Sequence, residues 1–115
     1  LPAEAPHAGD RFPWLQLRFD ANGPVEDVFE RLEDTHFHLI VFAQALPAEP
    51  LPDFARLLHV HVMPAGAAND AELERHHIPQ PAFYLLRPDG YIGLCGRRLE
   101  AAAVARYAAE RLRLG

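Results

Sequence analysis

Seven histidines and one cysteine stand among the 115 residues, and four of the histidines fall into two His-x-His pairs, His36/His38 and His59/His61. On a β-strand, residues two apart point to the same face, so each pair presents two imidazoles side by side. Imidazole nitrogen is a good ligand for Zn²⁺ or Cu²⁺, and two such strands placed next to each other would bring four imidazoles together. Against a metal reading, the face that holds His36 and His38 also carries Ile40 and Phe42, and no carboxylate stands at ligand spacing. Most histidines in such strands are packing or surface groups. Cys95 is alone, which rules out an intrachain disulfide, a C-x-x-C dithiol and a cysteine zinc cluster. It lies in an apolar run, away from any helix start that would lower its pKa, and reads as an inert thiol.

These residues need elements to hold them. Trp14 to Phe19 alternates with Leu15, Leu17 and Phe19 on one side, the period of a strand. Val25, Val28, Phe29 and Leu32 are spaced for one face of a short helix. His36 to Ala43 is an almost unbroken apolar run, as in a strand covered on both faces and central in its sheet. Pro47, Pro50 and Pro52 exclude a regular helix between Gln44 and Asp53, with a helical turn expected from Asp53 to Leu57. Leu58 to Met63 reads as a second parallel strand, followed by a short helix capped by Asn69 or Asp70 and running to His77. His76 and His77 then suit the negative end of that helix. Pro81–Leu86 and Tyr91–Cys95, joined by Pro88-Asp89-Gly90, form a hairpin. The final helix, from Arg98, aligns Ala101, Val104, Ala105, Ala108 and Leu112, with Arg106, Glu110 and Arg113 opposite. Crossovers early and a hairpin late predict a mixed sheet with helices on both faces, an α/β domain of thioredoxin-like order.

Half of the residues are hydrophobic, enough for one core without metal or disulfide help. Residues 1–10, rich in Pro and Ala, read as linker, and residues 11–115 as the domain. A formal charge of −5, from 11 basic and 16 acidic side chains with no basic cluster, argues against nucleic-acid and membrane partners. The lone cysteine fits a reducing, cytoplasmic setting. Thioredoxin chemistry would place a reactive thiol after the apolar strand, where this chain has Gln44-Ala45-Leu46-Pro47. No thiol redox activity is expected.

Two motifs carry more than topology: Ala8-Gly9-Asp10-Arg11-Phe12-Pro13 ahead of the first strand, and Leu85-Leu86-Arg87-Pro88-Asp89-Gly90-Tyr91-Ile92-Gly93 across the hairpin. Together they resemble the C-terminal thioredoxin-like domain of the FAD-dependent aromatic hydroxylases, the phenol hydroxylase group, over nearly the whole chain. Leu94-Cys95-Gly96 stands where that family more often has a tryptophan-arginine pair. The resemblance implies a non-catalytic dimerisation or docking domain of a flavoprotein monooxygenase, an oxidoreductase whose FAD, NAD(P)H and substrate sites lie in preceding domains of the same chain. It further implies a homo-oligomer. No cofactor is expected in these residues, since no G-x-G-x-x-G follows a strand. Gly9, Arg11, Pro13, Arg87, Pro88, Asp89 and Gly90 are therefore read as structural motif residues. Trp14, beside the linker, is the candidate interface residue, while Phe12 and Tyr84 suit either a contact or the core. The alternatives are a free-standing thioredoxin-like binding module without cysteine chemistry, or a His-rich metal protein.

Overall fold

The apolar run read as the central strand is β3 (Phe37–Phe42) in the computed structural model, which describes residues 1–32, 35–52, 54 and 56–111. Its Leu39, Ile40 and Val41 are fully buried because both faces are covered. β4 (Leu58–Met63) runs parallel to it on one side and β5 (Ala82–Leu86) antiparallel on the other, with β6 (Ile92–Gly96) antiparallel to β5. The order is β4-β3-β5-β6. Alternation along β3 divides the core in two. Ile40 and Phe42 join Phe12, Leu15, Leu17, Val28, Leu73 and Tyr84 on one face. Leu39 and Val41 join Phe83, Leu85, Val104 and Ala108 on the other. The first face is covered by α2 (Ala67–Arg75) and the second by α3 (Ala101–Arg111), so the domain is a thioredoxin-like α/β fold with helices on both faces.

Several expectations are corrected by tertiary partners. The first strand, β1 (Gln16–Arg18), stays outside the main sheet and pairs antiparallel with β2 (Val25–Asp27). The helix expected from Val25 is therefore only α1 (Val28–Arg31), which starts where Asp27 Oδ1 accepts from the backbone N–H of Phe29 and Glu30. Asn69 and Asp70 do not cap α2, whose N-cap is Gly66. Asn69 instead is buried inside the helix, where its Oδ1 accepts from Arg18 N and its Nδ2 donates to Arg18 O. Glu72, one turn on, accepts from Gln16 N. Two helix side chains thus bond the outer edge of β1 as a neighbouring strand would.

The C-terminus of α2 closes with Ile78 N donating to Leu73 O and His77 N to Glu74 O, with His77 at φ 59° in the left-handed position that usually takes glycine. Phe54 and Arg56 also have positive φ, so the described residues of the expected 53–57 turn are not helical; Asp53 lies outside the described residues. So do Leu112 and Arg113 of the last predicted helix. The segment read as linker packs on the domain: Ala5 is buried, and Tyr84 Oη donates to Pro6 O. No described helix is long and apolar enough to cross a membrane.

Candidate functional site

Pro88 at the second position and Gly90 at the fourth give the β5–β6 connection a tight turn, closed by Gly90 N donating to Arg87 O and Arg87 N to Tyr91 O. Gly90 has φ 85°, and a Cβ there would stand 3.1 Å from Phe29 Cε1. Asp89 uses both carboxylate oxygens locally: Oδ1 accepts from Tyr91 N, and Oδ2 pairs with Arg87 at 2.5 Å. The distant Gly9-to-Pro13 motif folds onto this turn. Gly9 N donates to Ile92 O, Ile92 N to Asp10 O and Phe12 N to Gly90 O, while Arg11 pairs with Tyr91 as an isolated bridge. Gly9 itself has φ 96° with open space around it, so conformation and not crowding calls for glycine there. The Arg11 guanidinium lies between the rings of Phe29 and Tyr91 and donates to Asp89 O at 3.0 Å.

Pro13 leads from this joint to Trp14, the most exposed large apolar side chain described, at 60 %. Its indole packs edge-on to Phe29 and its Nε1–H donates to Asp27 Oδ2. Phe12 and Tyr84, by contrast, are core and pack on each other. Burial pushes the Tyr84 phenol up. Phe29 and Tyr91 escaped the sequence reading as partners of Arg11, because nothing local signals contacts that only the folded chain creates.

Between the turn and α1 lies a cavity of about 340 Å³ lined by Arg11, Phe29, Leu32, His38, Leu86 and the turn itself. His38 connects it to the second cluster. The parallel β3–β4 register sets His38 opposite His59 and Ile40 opposite His61, so both His-x-His pairs meet on one face. His38 is 3 % exposed and its Nδ1 lies 3.0 Å from His61 Nε2. His36 stacks on His59 with ring centroids 4.1 Å apart, and the His38 ring is 5.5 Å from that of His59. Phe19 packs edge-on to His61, with the Arg31 guanidinium over the outer side of Phe19. Burial, then His38, His59 and Arg31 nearby, push the His61 pKa down to about 4. Its ring is neutral at pH 7.

The place where a thioredoxin carries its dithiol does other work here. Gln44 Nε2 donates to Arg97 O and its Oε1 accepts from Leu99 N, tying the end of β3 to the approach to α3. Cys95 lies on β6 opposite Tyr84, half-buried, and burial pushes its thiol up, which disfavours the thiolate. On the α3 side of β4, Leu58 packs against the core, and the residues beyond it on that face are more open. Val60 is 38 % and Val62 47 % exposed, and Leu46 and Leu57 of the preceding loop are exposed as well. Compared with known proteins, the chain matches no family model, no curated protein and no solved structure at a significant level.

Proposed function

We propose that this chain is the non-catalytic C-terminal docking and dimerisation domain of a cytoplasmic FAD-dependent aromatic hydroxylase. The observation that carries the docking role is the exposure of Val60 and Val62 on β4, which among the described residues is an edge strand of the sheet, with Leu46 and Leu57 of the preceding loop exposed as well. An apolar strand at a sheet edge invites association and is ordinarily blocked by charge, proline or a covering helix. In this reading the catalytic body of the same polypeptide covers that edge, and Trp14 supplies a second contact. FAD, NAD(P)H and the aromatic substrate are held by the preceding domains, and the assembled enzyme is a homo-oligomer.

Two features support the family assignment. The Gly9-to-Pro13 and Arg87-to-Gly93 motifs, distant in sequence, form one joint, so their co-occurrence has a single structural cause. The thiol position is occupied by a glutamine bonded to backbone, which fits a thioredoxin-like fold kept for its shape.

The test is the size of the native polypeptide in the source cells, probed with an antibody raised against this domain. A band several times larger than the 115-residue chain, copurifying with flavin, is expected. A band of the chain's own size would overturn the hydroxylase reading in favour of a free-standing thioredoxin-like binding module.

A further inference from the structure

Three imidazoles on β3 and β4, His38, His59 and His61, are gathered on one face, with His36 just before β3 stacked on His59. With His36 they are four of the chain's seven histidines, and the β3–β4 register places His38, His59 and His61 on one face. In a tetrahedral zinc site the metal–nitrogen distance of about 2.0–2.1 Å puts neighbouring ligand nitrogens about 3.3 Å apart and imidazole centres about 5 Å apart. His38 Nδ1 and His61 Nε2 are 3.0 Å apart and their ring centres 5.2 Å. The His59 ring lies 5.5 Å from His38 and 6.5 Å from His61. The first pair is at ligand spacing, and the third ring is displaced outward by about an ångström, drawn toward the stack with His36. As the side chains stand, no three described His, Cys, Asp or Glu groups are arranged to hold a metal ion. His59 is the ring that must turn, and its partial exposure leaves it room to do so.

We propose that the quartet binds one borderline divalent cation, with Zn²⁺ as the reference ion, through His38 Nδ1, His61 Nε2 and a reoriented His59. On binding, the proton between His38 Nδ1 and His61 Nε2 passes to the other nitrogen of the neutral ring that carried it, and the cation takes its place between the two freed nitrogens. Both ligating strands belong to the central sheet, so the anchoring pair is held by backbone hydrogen bonds rather than by a loop. His36 stacks on His59 and is the nearest further imidazole to that ring. An all-imidazole set selects Zn²⁺, Cu²⁺ or Ni²⁺ over Mg²⁺ and Ca²⁺, which want oxygen ligands.

The experiment uses the untagged full chain, stripped with chelator and titrated with Zn²⁺ by calorimetry at neutral pH. One Zn²⁺ per chain is expected. His61→Gln and His59→Gln should each weaken binding by about tenfold or more, whereas His76→Gln with His77→Gln should leave it unchanged. Ring ¹⁵N spectra of the wild-type protein test the same point without relying on a variant that folds: Zn²⁺ should shift His38 Nδ1 and His61 Nε2. Absence of saturable binding, ring resonances that do not respond, or binding that survives loss of His38 and His61 together would overturn the site.

Discussion

The Arg87-to-Gly90 turn and the imidazole quartet approach the same cavity from two sides, with His38 between them, yet they use polar groups in opposite ways. In the turn, unlike groups meet: guanidinium on carboxylate, carboxylate on backbone N–H, a second guanidinium on a carbonyl. Each contact satisfies a donor with an acceptor, and the result is a rigid joint with little left to offer a ligand. In the quartet, like groups meet. Imidazole packs on imidazole, and burial, with the neighbouring His38 and His59 adding to it, holds the His61 ring neutral at pH 7. The motif most conspicuous in the sequence is therefore the structural one, and the imidazole cluster is built from residues of ordinary spacing.

The comparison can be broken most directly at Gly90. Gly90→Val imposes a β-branched side chain at φ 85° and drives a Cβ against Phe29, so a loss of roughly 2 kcal/mol is expected in urea unfolding. An unchanged midpoint would mean that the turn is not the rigid joint described. On the quartet side, the folded His61 pKa lies below the ordinary imidazole value of about 6.5, so the unfolded chain takes up the proton first. The His61 contribution to stability is full above pH 6.5, is lost between 6.5 and 4, and changes no further below. The His61 share of that loss is about 1–2 kcal/mol after discounting for its partial solvent exposure. Measured with chelator present, His61→Gln should flatten the fall between pH 7 and 4.5, and an identical pH profile would contradict the assignment. The smallest effects separate the two arginines of the joint. Arg11→Ala loses two ring contacts and a hydrogen bond and should cost about 1 kcal/mol, whereas Arg87→Ala breaks an exposed pair and should cost about 0.5 kcal/mol or less. Equal losses would show that the cross-motif contact adds nothing beyond a surface ion pair.

Much of the sheet was legible because its strands advertise themselves. Phe37–Phe42 and Ala82–Leu86 are apolar on both faces, and Pro88-Asp89-Gly90 admits few conformations other than a tight turn. The errors fall where a distant partner outweighs local preference. Val25 to Asp27 fit a helix face, but β1 needed a partner on that side and took them into a hairpin. Asn69 is a good cap by type, yet its amide satisfies Arg18 backbone groups, and a helix boundary cannot report a bond to a residue 51 positions away. The candidate site divides in the same manner. That two His-x-His pairs could converge was readable from strand periodicity; the 3.0 Å approach of His38 to His61 followed from a register that no residue of either strand specifies alone.

Composition and periodicity were enough to establish a cysteine-poor α/β domain with its dithiol position filled by Gln44, because residue type and alternation act locally and survive without knowledge of neighbours. The register of β3 against β4, the folding of the Gly9-to-Pro13 segment onto the Arg87-to-Gly90 turn, and the exposure of Val60 and Val62 on β4 were set by assembly. Each depends on which surfaces remain to be covered once the central sheet has formed, and that is a property of the whole packed chain rather than of any stretch of it.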